Sequence, residues 1–490
     1  MTLHSKRFIQ GGLTGLAILF VCGCSTVGPD YEKPQTQTPD AWSQPVFEEI
    51  ANGPEANLQT WWTIFGDPTL NDLIDRARQK NLNLKVAVSR IRESRTMLAI
   101  ASGEKMPVAS VGGKLSQMKL SDDGPLYKIA PADGFDGHSL IEVGTDAFWE
   151  IDLFGRISRT IESADAAYEA SVEDYRDVLV TLLAEVAFTY VDIRSAQQQI
   201  VIANENVKSQ TDTLKITRER FDNGMTTKLD VAQATANFEA TQASIPQFKI
   251  ALNQSINRLA VLLGEDAGKL QSELGHPQPL PKLTQSLGIG VPANIIRQRP
   301  DIRKAERLLA AQTAQIGVAT ADLYPSFGLS GFFGLQSRSL DSLFSSESVT
   351  WGFGSPIQWD VFNGGQIKGN IEIQKEKAAQ YLLRYELQVL EAVEEVENAI
   401  SGYDLNTVSA SHLRKSNESM VEAVNLVLIA YDAGLTDFNN VLVTQRDLYR
   451  QQSNLISYET QTVIYLISLY KALGGGWDID AATSPARSSK

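Results

Sequence analysis

The 490-residue chain has two cysteines and four histidines, and beyond residue 24 it has no run of 18 apolar residues. Each shortage excludes a class of function. Without such a run, no helix past the N-terminus crosses a bilayer, so a membrane role demands a β-barrel. His4, His138, His276 and His412 are scattered, and Cys22 and Cys24 lie in the first 24 residues. No cysteine pair remains for a metal. There is also no Walker-type Gly-Lys loop and no Gly-x-Ser-x-Gly elbow. No enzyme, cofactor or metal is therefore expected. A formal net charge of −14 makes the chain a poor binder of nucleic acid.

The N-terminus sets the compartment. Lys6 and Arg7 precede a short apolar stretch, Gly11 to Val21, followed by small residues at Cys22-Gly23-Cys24. This reads as a secretory signal over 1–23, too short for a permanent span. The small residues before Cys24 resemble a bacterial lipobox, which makes Cys24 the expected lipid anchor. The other reading is ordinary signal cleavage with an incidental cysteine. Ser25 stands where an aspartate marks inner-membrane retention, which favours the outer membrane and contact with its lipid. A triacyl anchor provides enough chains for stable attachment. With Cys22 removed, no intramolecular disulfide is possible.

Two stretches of the chain run in step. Trp149 and Trp359 are 210 residues apart, as are Tyr175 and Tyr385, Glu185-Val186 and Glu395-Val396, Phe221 and Tyr431, and Leu263-Gly264 and Leu473-Gly474. The chain is an internal two-fold repeat, and the period far exceeds that of a solenoid. The expected divisions are a lipid-anchored extended segment, 24–60, and a first repeat, 61–264. A Pro-, Gly- and Gln-rich linker, 265–291, a second repeat, 292–474, and a tail, 475–490, follow.

The hydrophobic period changes along each copy. Leu70 to about Ala101 is helical in character. Ile141, Val143, Thr145, Ala147, Trp149, Ile151 and Leu153 then alternate with polar residues, Phe148 being the exception. The second copy repeats this with Val349, Trp351, Phe353, Ile357, Trp359 and Val361. Period two signals strands with one apolar and one polar face. Partner strands are expected at Val108–Leu120 and Ser326–Gln336. Each copy thus supplies a hairpin long enough to cross a bilayer when tilted. A soluble sheet with one buried face gives the same alternation. Four strands cannot close a barrel, so the barrel must be shared between chains. Two chains would give eight strands, three would give twelve and an open lumen.

Long helices follow each hairpin. Ile157 to about Arg220 and Ile371 to about Ser401 hold no proline or glycine. At 1.5 Å per residue the first would extend about 90–95 Å. Its apolar residues step by threes and fours, as in a coiled-coil seam. Phe221-Asp-Asn-Gly224 and Tyr431-Asp-Ala-Gly434 break the tracts with a glycine suited to a helix end. A Glu391, Glu394, Glu395 and Glu397 cluster reads as a solvated helix face.

Together these residues resemble the TolC-like outer-membrane factor family, in its NodT-type lipoprotein branch. The resemblance rests on Val27-Gly-Pro-Asp-Tyr31, Trp149-Glu-Ile-Asp-Leu-Phe-Gly155, Arg299-Pro-Asp-Ile302 with Ala305-Glu306, Leu323-Tyr-Pro-Ser326 and the two glycine turns. It implies an α+β membrane protein: a homotrimer with one twelve-stranded β-barrel, continued by a long periplasmic α-helical barrel. The implied function is the exit duct of a tripartite efflux system, with a periplasmic membrane-fusion adaptor and an inner-membrane RND-type pump as partners. Two alternatives stand beside it: the outer-membrane component of type I protein secretion, and a lipid-anchored periplasmic coiled-coil adaptor. The resemblance also implies a periplasmic gate at the second glycine turn, with candidates Tyr431, Asp437, Asn439, Asn440 and Val443. Asn439, Asn440 and Val443 stand where relatives often carry an acidic or apolar constriction. Closure by hydrogen bonding and packing is therefore expected, while the first copy keeps Asp230 near the equivalent place.

Overall fold

A computed structural model describes residues 26–35, 42, 58–118, 138–283 and 298–477. The chain forms two compact units, one of Met1–Pro34, Ile91–Ala170 and Ala305–Arg384, the other of Gln35–Arg90, Ser171–Lys304 and Tyr385–Lys490. In chain order come α1 (Pro68–Lys80), α2 (Leu82–Gly103), β1 (Val108–Met118), β2 (His138–Ile151), α3 (Arg156–Asp222) and α4 (Lys228–Leu263). After α5 (Ala267–Leu274) follow α6 (Pro300–Ala321), β3 (Ser326–Ser337), β4 (Val349–Gly354), β5 (Ile357–Gln358), α7 (Gln366–Asp432) and α8 (Phe438–Ala472).

The first unit holds the sheet, an antiparallel meander of order β1-β2-β3-β4, with β5 also on β3. β4 and β5 share one register against β3, so they are one strand interrupted at Ser355-Pro356. Pro356 has no amide to give, but its carbonyl still accepts Gly328 N–H at 2.9 Å. Val111 pairs with Thr145, Val143 with Leu335, Thr145 with Phe333, and Phe333 with Trp351. Cross-strand partners share a face. One face of the whole sheet is therefore built from odd-numbered residues and is almost wholly apolar. Trp351 and Phe353 on it are 73% and 77% exposed. The even face carries Lys114, Glu142, Asp146, Glu150 and Gln336, with Gln336 donating to Glu142 at 2.7 Å. Among its apolar residues, Phe148 and Phe332 lie over Gly328 and Gly352 and cover backbone that has no side chain of its own. Among the described residues β1 and β4 pair with one neighbour each, so the sheet has two open edges.

The second unit holds the largest core, in which Trp61, Leu70, Leu73, Ile74, Leu183, Tyr190, Ile256, Leu259 and Tyr470 are fully or almost fully buried. Trp61 stacks on Tyr470 at 5.4 Å. The helical run expected from Leu70 to Ala101 is broken at Asn81, whose ψ of 131° ends α1. The break has a purpose. Asn81 Nδ2 donates to the carbonyl of Leu262 at 2.7 Å while its Oδ1 accepts Leu84 N–H at 2.9 Å. It thus closes the last turn of α4 and opens α2. In the second copy Arg299 does the same for α8, donating to the carbonyl of Ala472 at 2.8 Å. Leu262 and Ala472 are 210 residues apart, but Asn81 and Arg299 are 218 apart, as are the starts of α2 and α6 and of β1 and β3. The repeat therefore extends upstream of Trp149, with its offset changing inside the hairpin loop.

Two further features concern the helices. The stretch 265–291 contains α5, whose Leu270 and Leu274 enter the main core. α7 runs unbroken through Gly402, where Tyr465 of α8 packs so closely that an added Cβ would lie 2.4 Å from its ring.

Candidate functional site

The two helical turns lie in the second unit and share a frame. Gly224 and Gly434 both have positive φ, and in each turn the residue after the glycine hydrogen-bonds back, Met225 to Arg220 and Leu435 to Ala430, at 2.8 Å. Their caps differ. At the first, Thr227 and Asp230 form a reciprocal capping box, and Asp230 also accepts from the Thr226 hydroxyl. Burial pushes the Asp230 carboxyl up, but these hydrogen bonds hold it below its ordinary value. At the second, Asp437 caps α8 by accepting Asn440 N–H at 3.1 Å, and Asn440 donates to Thr436 at 2.9 Å.

The gate candidates divide accordingly. Asp437, Asn439 and Asn440 are exposed, and Val443 is about half exposed. Tyr431 is buried in its own chain, edge-on to Phe438 at 5.6 Å and clustered with Leu214, Ala234, Val441 and Leu442. The Arg220 guanidinium lies 4.7 Å over its ring and donates to the carbonyls of Tyr431 and Asp432 at 2.8 and 2.9 Å. Arg220 was missed by sequence reasoning. Its only local signal is a cation in the last turn of α3, which complements that helix end anyway. Deeper along the pair, Gln445 donates to Thr213 at 2.8 Å and Arg446 to Asn237 at 3.1 Å.

In the first unit, the sequence motifs converge where strands meet helices. Asp152 caps α3 through the amides of Ile157 and Ser158, at 3.0 and 2.7 Å. Phe154 stacks on Tyr324 at 4.6 Å, and its carbonyl accepts Val27 N–H at 3.1 Å. Buried Arg159 holds the carbonyl of Val27 and the carboxylate of Asp30, at 3.1 and 2.6 Å. Lys33 pairs with Glu306 at 2.9 Å, and Arg307 lies 5.3 Å from the Tyr31 ring. Gly28 lies against Gly317 so closely that a Cβ on it would sit 2.4 Å from the Gly317 Cα. The segment from Thr26 to Lys33 is thus a strap docked on the first unit. Cys24 lies outside the described residues. Trp149 and Trp359 donate their indole N–H to the carbonyls of Lys105 and Leu323, at 3.0 and 3.1 Å. Each carbonyl stands three residues before the hairpin's first strand.

No group of residues that could hold a metal occurs among the described residues. Glu395 of the acidic cluster pairs with Arg299 at 2.7 Å, a structural role. Glu391 and Glu394 are exposed.

A sheet with an exposed apolar face, joined in sequence to long helical hairpins, is the arrangement of an outer-membrane efflux protein. The family described as "Outer membrane efflux protein" matches residues 73–265 and 291–475, and the chain belongs to it. Nodulation protein T of Rhizobium leguminosarum bv. trifolii is 29% identical over 460 residues, covering 94% of this chain and 96% of the relative. Outer membrane protein OprJ of Pseudomonas aeruginosa is 28% identical over 470 residues, covering 95% and 96%. The solved outer-membrane channel OprN is 35% identical with a TM-score of 0.85, over 92% of this chain and 100% of that one. The chain acts in efflux at the outer membrane.

Proposed function

We propose that three copies of this chain close one twelve-stranded barrel, continued by a periplasmic helical barrel, as the exit duct of a tripartite efflux assembly. A periplasmic adaptor and an inner-membrane pump of the RND type supply the cargo, and the duct conducts it passively. The observation that carries this reading is the four-stranded sheet, with two open edges and one apolar exposed face. Open edges in a membrane leave backbone groups unpaired, and only closure satisfies them. Four strands are too few to close alone, whereas twelve leave a lumen. The odd face meets lipid, and Lys114, Glu142, Asp146 and Glu150 of the even face line the lumen. The expected mass in detergent is that of a trimer, and a monomer that conducts ions would refute the shared barrel.

Cys24 carries the lipid, two residues ahead of the docked strap. Cys24→Ala is expected to abolish palmitate labelling, and labelling that persists removes the anchor from this site. The second glycine turn acts as the periplasmic gate, with Asp437, Asn439, Asn440 and Val443 toward the duct and Tyr431 holding the turn from behind. Release of Tyr431 then loosens the gate without removing a lumen group.

A further inference from the structure

We propose that Val361 and Phe362, in the loop between β5 and α7, dip into phospholipid acyl chains of the leaflet on the helix side of the sheet. The inference rests on the odd face being the lipid face. Phe362 is 93% exposed, the most exposed large apolar side chain among the described residues, and Val361 is 77% exposed. Ile357, Trp359 and Val361 continue the odd-numbered apolar alternation past the end of the strand, and all three are exposed. Val361 thus continues the lipid face, and Phe362 stands beside it at the turn where the alternation ends.

The exposure does not come from looseness. Asn363 Oδ1 accepts Gly365 N–H at 3.1 Å, its carbonyl accepts Gln366 N–H at 3.3 Å, and Val361 N–H bonds to Trp359 O at 3.1 Å. The turn itself holds Phe362 outward. Trp359 marks the depth, with its indole N–H satisfied by Leu323 and its ring exposed. Tryptophan is enriched at that level of a bilayer because one end is apolar and the other polar.

The first copy shows what this loop does without a wedge. There Ile151, Asp152, Leu153 and Phe154 are half-buried, and Asp152 caps the following helix. The strap seals that loop through Val27 and Thr26. Phe362 occupies the position of Asp152, 210 residues on, and Val361-Phe-Asn-Gly-Gly365 carries no charge. One loop is tied down by the N-terminal strap and the other by lipid.

The test places an environment-sensitive fluorophore on Phe362→Cys in the full chain, in phosphatidylcholine vesicles with and without spin-labelled lipid. Phe353→Cys on the odd face and Thr350→Cys on the even face are the references, and the unsubstituted chain gives the background from Cys24. Preparations are read once they migrate as the parent oligomer, and Val361→Cys is the second reporter. Nitroxide near the headgroup is expected to quench position 362 at least about threefold more than position 350, with blue-shifted emission. Quenching at 353 but not at 361 or 362 overturns the wedge and leaves the lipid-facing sheet standing. Quenching at none of them overturns both. A label at 362 shielded equally in detergent, and cross-linking to a second copy, overturns the wedge in favour of a protein contact.

Discussion

At the first helical turn Thr227 and Asp230 cap α4 reciprocally and Phe221 lies about 40% exposed. At the second, Asp437 caps α8, and Tyr431 in the matching position is buried against Phe438 under Arg220. Arg220 belongs to the first copy, and its counterpart 210 residues on is Ala430. The clamp therefore runs one way: the first turn is closed by its own polar groups, and the second is held by the first. Duplication produced two equal frames, and divergence made one of them dependent. A dependent turn can be released by breaking few contacts, which is what a gate requires.

The largest effect is expected where the two copies close the same helix end by different means. Arg299 is buried between Asp301, Glu395 and the Ala472 carbonyl, with the carboxylates at 2.7 Å. Arg299→Ala removes both ion pairs and the cap on Ala472 at once, leaving Asp301 with Ile302 N–H and Gln388, and is expected to cost about 2–4 kcal/mol. Asn81→Ala, at the equivalent end of the first copy, loses neutral hydrogen bonds and is expected to cost about 1–3 kcal/mol. Denaturant unfolding in detergent measures both. Equal losses would mean that the Arg299 charges contribute nothing beyond the cap itself.

Much of this was legible in the sequence, and what was not has a common cause. The odd-even alternation from Ile141 and from Val349 predicted a sheet with one apolar face because sheet faces are a local, period-two property. The 210-residue offset predicted two glycine turns because each needs its own left-handed residue. Asn81 was unreadable as a break, since asparagine is tolerated in helices and its reason to break one lies at Leu262, 181 residues away. The reason for a glycine at 402 is equally remote, since Tyr465, which packs against it, is on another helix. Tyr431 stood out only as a turn residue, and its clamp by Arg220 was unreadable because no spacing along the chain connects the two.

The one-way clamp predicts an asymmetric response in conductance. Tyr431→Ala and Arg220→Ala each remove contacts that hold the second turn, and each is expected to raise single-channel conductance or antibiotic entry with trimers intact. A loss of about 1.4 kcal/mol shifts the closed-to-open ratio about tenfold. Phe221→Ala, at the exposed equivalent, is expected to do much less. Val443→Ser tests the lumen side of the same turn and is expected to act in the same direction as Tyr431→Ala. Equal conductance in all four variants would place the constriction elsewhere along the helical barrel.

The smallest effect sharpens the comparison most, because it exchanges one atom between the copies. Asp230 and Asn440 occupy equivalent positions, and only the first titrates. Hydrogen bonds from Thr226 and Thr227 hold the Asp230 carboxyl below its reference value of 3.8, against the upward push of burial. A carboxyl whose pKa is depressed on folding adds stability above its unfolded value, and loses it as pH falls through the folded one. Protection of the amides at 228–231 against hydrogen exchange should therefore hold above about pH 4 and weaken below it. Asp230→Asn makes the first turn resemble the second, and should remove that pH dependence at a cost under about 1 kcal/mol, since the amide oxygen still accepts. Asn440→Asp should lose its donation to Thr436 and introduce a new carboxylate step at the second turn. If exchange at the first turn keeps the same acid midpoint in Asp230→Asn, the titrating group is not Asp230, and the capping box is not what distinguishes the two turns.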